Sequence, residues 1–198
     1  DGSGQMAGPG RGGRGQGGQT GEAVTYTGSY YLYINGGTII VNAQGDGLDA
    51  NGAIEMTGGV VVVNGPTEQM NGALDYDGTF NISGGTLIAV GSSGMAQAPT
   101  TSSTQNSVLL NVNGQSAGTL INVQNAAGES VLTYAPAKEY SSILFSSPNL
   151  VQGTEYTLYV GGSATGTEVG GLYTDGSYSG GSEYGSFTQS SVVTALGG

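Results

Sequence analysis

Two short blocks of the chain bring carboxylates and amides together at matching positions. Gly45-Asp46-Gly47-Leu48-Asp49-Ala50-Asn51-Gly52 aligns with Asn71-Gly72-Ala73-Leu74-Asp75-Tyr76-Asp77-Gly78, and each block ends six residues before a Gly-Gly pair. If the blocks stack, Leu48 over Leu74 turns toward a core and Asp49 lies over Asp75, one strand spacing or roughly 4.8 Å away. Two carboxylates that close resist ionising together, so a proton or a cation is expected between them. Asp46, Asn51 and Asp77 add oxygen donors beside the pair, and the Gly turns offer backbone carbonyls. Hard oxygen donors without imidazole or thiolate favour Ca²⁺ over transition metals. Asp46, Asp49, Asn51, Asp75 and Asp77 are thus the candidate metal ligands. The alternative role for the same residues is turn chemistry, which Asp and Asn supply well beside Gly. The third equivalent stretch, Gly94-Met95-Ala96-Gln97, has no acid, so the ladder is expected to stop there.

Of the 12 tyrosines, Tyr30, Tyr31, Tyr33 and Tyr76 gather near these blocks. A flat aromatic can stack on a sugar ring while its hydroxyl stays hydrated. Tyr30, Tyr33 and Tyr76, together with Asp75, are the candidate carbohydrate contacts. Tyr also favours strands for reasons unrelated to any ligand.

The elements that must hold these residues repeat. Ile34-Asn35-Gly36-Gly37-Thr38-Ile39-Ile40-Val41-Asn42 recurs as Met56-Thr57-Gly58-Gly59-Val60-Val61-Val62-Val63-Asn64 and as Ile82-Ser83-Gly84-Gly85-Thr86-Leu87-Ile88-Ala89-Val90. The Gly-Gly pairs are 22 and then 26 residues apart. Repeats of that length signal a solenoid in which each coil stacks on the last. Gly-Gly supplies a bend where a Cβ would clash. Period-two alternation points Ile39 and Val41, Val61 and Val63, and Leu87 and Ala89 into one core, joined by Ile34, Met56 and Ile82. Asn42 and Asn64 fall at equivalent positions and are expected to form a hydrogen-bonded ladder. The expected fold is all-β: a right-handed parallel β-helix (β-solenoid), with irregular or antiparallel C-terminal strands as a cap.

Three regions follow: a Gly-rich arm at 1–21, β-helix coils with the Gly-Gly repeat at 22–104, and a C-terminal β region or cap at 105–198. The arm is a flexible linker by composition. Where it is ordered, the body of the fold or a neighbouring molecule must hold it. From Ser107 the Gly-Gly period is lost, yet strand patterns continue at 108–112, 118–123, 130–134, 142–145 and 156–160, with Asn-Gly and Ala-Gly as turns. Further irregular coils and antiparallel strands both satisfy that pattern.

Composition excludes several functions. Glycine supplies 40 of the 198 residues, and 14 acidic against 3 basic residues give a net charge of −11. Nucleic-acid binding needs a basic surface, so that partner is excluded. No apolar run approaches the roughly 20 residues of a membrane-spanning helix. Cys, His and Trp are absent, which removes disulfides, thiolate chemistry and Cys-based zinc sites. A surface rich in Gly, Ser, Thr, Asn and Tyr suits a secreted, extracellular or cell-surface protein. No signal peptide is visible, and a processed or truncated segment is expected ahead of Asp1.

At Gly45-Asp46-Gly47-Leu48-Asp49, at 71–78, and at Ser93-Gly94-Met95-Ala96-Gln97-Ala98-Pro99, the chain resembles the extracellular carbohydrate-binding domain proteins of anaerobic bacteria. Ser103-Thr104-Gln105-Asn106-Ser107 and Gly171-Leu172-Tyr173 match as well, and the resemblance spans about residues 28–194. It implies a right-handed β-helix, calcium held in the coils, binding of plant-type polysaccharide including acidic sugars, and attachment to a cell surface through other parts of a longer chain. Family members carry further acidic coils ahead of the point where this chain begins. With only three Gly-Gly coils left, the first has an exposed edge unless the arm, missing sequence or another subunit covers it.

Pectin-degrading enzymes also use β-helices. A lyase needs a base beside the uronate, and the only candidates, Arg11, Arg14 and Lys138, lie outside the acidic ladder. A hydrolase needs a pair of carboxylates, which Asp46, Asp49, Asp75 and Asp77 could supply. Stacked carboxylates serve equally well as metal ligands, so a non-catalytic, calcium-assisted polysaccharide binder is expected. The alternative is a self-assembling homo-oligomer or filament subunit, stacked head to tail through solenoid ends and the Gly-rich arm.

Overall fold

The computed structural model describes residues 30–197, so the arm expected at 1–21 lies outside the described residues. The described chain is all-β and contains no helix. Its first six strands are β1 (Tyr31–Asn42), β2 (Leu48–Ala50), β3 (Ala53–Asn64), β4 (Leu74–Tyr76), β5 (Phe80–Ile82) and β6 (Thr86–Gly91). They stack in parallel and in the register of the repeat. Ile34 lies beside Met56, Ile39 beside Val61, and Val41 beside Val63. The next pass continues with Met56 beside Ile82, then Val61 beside Leu87 and Val63 beside Ala89.

The glycine pairs make this stacking possible. The second glycine of each takes positive φ, +79° at Gly37, +92° at Gly59 and +91° at Gly85. A Cβ on Gly59 would lie 2.8 Å from the carbonyl carbon of Gly36, and one on Gly85 would lie 2.6 Å from the oxygen of Gly59. The second and third pairs therefore rest directly on the backbone of the pair before them.

The remaining strands are β7 (Ser107–Gln115), β8 (Ile121–Asn125), β9 (Ser130–Tyr134), β10 (Tyr140–Ser146), β11 (Glu155–Val160), β12 (Ser163–Ala164), β13 (Thr167–Val169), β14 (Leu172–Thr174), β15 (Tyr178–Ser179), β16 (Ser182–Thr188) and β17 (Val193–Leu196). They are antiparallel strands, not further coils, except that β17 runs parallel to β7. They join the coils directly. β10 pairs with β6, so one mixed sheet runs β1-β3-β6-β10-β7-β17, while β13-β14-β9-β8-β11-β16 forms a second. Neither sheet closes on itself. Asn113-Gly114, expected as a turn, lies inside β7, and the chain instead reverses around Gly118 at φ +76°.

Two apolar layers hold the sheets. On one face of the mixed sheet, Ile34, Met56, Val61, Val63, Ile82, Leu87 and Ala89 pack with Leu48 and Leu74 from the short β2–β4 ladder. On the other face, Val62, Ile88 and Val90 pack with Ile121, Val123, Leu132, Tyr134 and Tyr156 of the second sheet. Full burial of each such side chain contributes roughly 1.5–3 kcal/mol. This second layer explains a departure from expectation. Asn42 and Asn64 do pair in register, but the asparagine ladder does not form. Asn64 lies under the second sheet, where its Oδ1 accepts from the Tyr134 hydroxyl at 2.6 Å and from Ala137 N–H at 2.8 Å.

Candidate functional site

The acidic blocks sit on the β2–β4 ladder. Leu48 and Leu74 turn inward, and this fixes Asp49 beside Asp75 and Ala50 beside Tyr76. Backbone bonds from Gly47 N–H to Gly72 O at 3.0 Å and from Asp77 N–H to Ala50 O at 3.2 Å tie the flanking turns together. Asp46 belongs to this scaffold, since its Oδ1 accepts from Gly72 N–H at 2.8 Å. Asp49 and Asp77 are exposed, and Asp75 is half-buried.

Beyond the two strands of the ladder, a neutral side chain meets Asp75. Gln97 Nε2 donates to Asp75 Oδ1 at 3.4 Å, and Gln97 Oε1 is buried without a hydrogen-bond partner. The carboxyl pKa of Asp75 is raised, chiefly by loss of solvent and then by the charges of Asp46, Asp49 and Asp77; the Gln97 bond works against the rise.

The tyrosines divide. Tyr30, Tyr31, Leu32, Asp49, Ala50 and Asn51 line one cleft at the β1 end of the ladder. Tyr31 and Tyr33 are 54% and 61% exposed, with rings stacked at 5.4 Å between centroids and 15° between planes. Successive same-face positions on a strand bring such rings together. Tyr76 is placed differently: its ring meets Phe80 edge-on at 5.9 Å, and its hydroxyl donates to Ala98 O at 2.5 Å. Tyr76 is thus a packing residue of the ladder, set apart from the cleft that Tyr30 lines. The sequence places Gln97 in the third equivalent stretch, but without a charge to mark it the contact with Asp75 is not foreseen. The signal available was its position, 22 residues after Asp75.

As donors for calcium, the Asp49 and Asp75 carboxylates are hard oxygens and fit in kind. They fall short in number, for among the described residues no group of three or more His, Cys, Asp or Glu is arranged to hold a metal ion. In comparisons with known proteins, no family model, no curated protein and no solved structure matches the chain.

Proposed function

We propose that this protein is a non-catalytic, extracellular polysaccharide binder that engages acidic glycans through calcium. We further propose that 31–91 form three coils of a right-handed parallel β-helix, like those of the extracellular carbohydrate-binding proteins the repeat resembles. The fold proposal is supported by the in-register parallel stacking of β1, β3 and β6 and of β2 with β4.

The observation that carries the functional proposal is the cleft in which exposed Tyr30 and Tyr31 meet Asp49 and Asn51, extended by the stacked ring of Tyr33. The rings offer a sugar its apolar face, while the acid and amide offer hydrogen-bonding groups. A chain of net charge −11 repels a uronate polymer, and a bound cation offsets that repulsion. Asp49 and Asp75 would hold the ion. Ca²⁺ takes about six to eight oxygens, so glycan carboxylates and water complete its shell. Ion and glycan binding are therefore coupled.

Native affinity electrophoresis through gels containing polygalacturonate or a neutral glucan, with Ca²⁺ or chelator, tests this. Polygalacturonate is expected to retard the protein only with Ca²⁺. Tyr31→Ala should abolish retardation while changing stability by no more than about 0.5 kcal/mol, as at other exposed positions. Retardation that survives both chelator and Tyr31→Ala sinks the proposal.

A further inference from the structure

We propose that the molecule carries a second glycan site, for neutral sugar, in the cleft where the loops of 165–178 meet β9 and β10. It rests on the chain being a glycan binder, but it uses none of the residues of the acidic ladder. The cavity has a volume of about 290 Å³, at the lower edge of the roughly 300–1,000 Å³ that small-molecule sites occupy.

Its floor is apolar, with Leu132 and Phe145 buried beneath it. Its wall carries hydroxyls whose protons are free to donate. Asn122 is fully buried, and its Oδ1 is occupied by the Gln124 amide at 2.8 Å. The Asn122 amide hydrogens therefore point to Ser130 Oγ at 2.9 Å, Leu132 O at 2.9 Å and Thr133 Oγ1 at 2.8 Å. Two hydrogens are shared among these three acceptors, and the Ser130 and Thr133 hydroxyls that accept them can turn their own protons toward a ligand oxygen. Tyr173 and Tyr178 add aromatic surface to the lining. The Tyr178 ring is fixed in advance by its hydroxyl, which donates to Gly161 O at 2.9 Å.

Asp175 supplies the remaining element. Among the described residues it is the one non-glycine at positive φ, +54°, a turn conformation that Asp tolerates. Its turn is pinned by Thr165 N–H to Ser177 O at 2.9 Å and by Ser177 N–H to Thr165 Oγ1 at 3.1 Å. A carboxylate on this turn can accept from two adjacent sugar hydroxyls, one on each oxygen. No Lys or Arg lines the cleft, so Asp175 repels a uronate and leaves a neutral sugar as the ligand class.

Calorimetric titration in chelator, with hexaoses of β-1,4-linked glucose, mannose or xylose, tests the site. At least one hexaose is expected to bind. Tyr173→Ala and Asp175→Asn should each weaken it about tenfold or more, Tyr173→Phe should retain it, and Tyr31→Ala with Asp49→Asn should leave it unchanged. Failure of every hexaose to bind overturns the second site. So does binding that is lost with Tyr31→Ala and kept with Tyr173→Ala. If polygalacturonate still retards the protein with Ca²⁺, only the second site has failed; if retardation is absent too, glycan binding itself has failed.

Discussion

Asp75 has Asp49 beside it on the ladder, and Asp46 and Asp77 add to the cost of its charge. Its pKa in the folded protein lies above the ordinary 3.8, near which the unfolded chain titrates. The folded state keeps this proton longer, so the contribution of Asp75 to stability is fully present below about 3.8 and is lost as pH rises through the raised value. Asp75→Asn is neutral throughout and escapes that loss. In chelator, the melting temperature of Asp75→Asn minus that of wild type should grow from about pH 4 to pH 7. Calcium at neutral pH should then narrow the gap by stabilising the wild type. A pH-independent difference would remove Asp75 from the account. At this scale the sequence was informative about charge and silent about packing. Asp49 and Asp75 announce themselves because like charges recur in register. Gln97 does not, and Tyr76 looks like any other tyrosine until its hydroxyl is found on Ala98 O.

Glycine at the bends separates two energetic effects that are usually mixed. Gly37 and Gly59 both have positive φ, but a Cβ on Gly37 would meet nothing within 4 Å, whereas one on Gly59 would strike the backbone of the previous pair at 2.8 Å. Gly37→Ala should cost only the conformational strain, about 1–2 kcal/mol. Gly59→Ala adds a steric clash in a packed stack and should cost at least about 1 kcal/mol more. Urea unfolding of the two variants measures the difference, and equal costs would mean that the coils do not bear on one another there. The Gly-Gly period was readable because only glycine fits at a bend lying on another bend. The second apolar layer was also written in the chain, in Val60-Val61-Val62-Val63 and Leu87-Ile88-Ala89-Val90, which are apolar on both faces. Attention to the alternate positions alone passed over Val62, Ile88 and Val90, the residues that meet the second sheet.

Across the whole molecule, the two halves of the chain share a sheet and a core. Asn64 of β3 receives the hydroxyl of Tyr134 and the N–H of Ala137. Asn64→Ala strands the buried Tyr134 hydroxyl and should cost about 1–3 kcal/mol. Because Val62, Ile88 and Val90 pack against β8, β9 and β11, unfolding should remain a single transition when followed by far-ultraviolet dichroism and by tyrosine fluorescence. Two separated transitions would show the halves to be independent. Whether 105–198 were further coils or antiparallel strands was beyond local pattern, since both give short alternating strands. The pairing of Leu144 with Ala89 across β10 and β6 decides it, and those residues lie 55 apart in the chain.

β6 is met by β10 running the opposite way, and this restricts how copies can join. In polymer terms, a head-to-tail filament needs a bifunctional monomer with two complementary ends. Among the described residues β1 pairs with β3 alone and offers a twelve-residue edge, while the far edge of the same sheet is β17, four residues long. In this sheet the long edge lies at one end only, so two copies mated edge to edge through β1 would leave that sheet with two four-residue ends. One copy added to a stack of parallel coils would end the stack at β6, whose far edge β10 occupies.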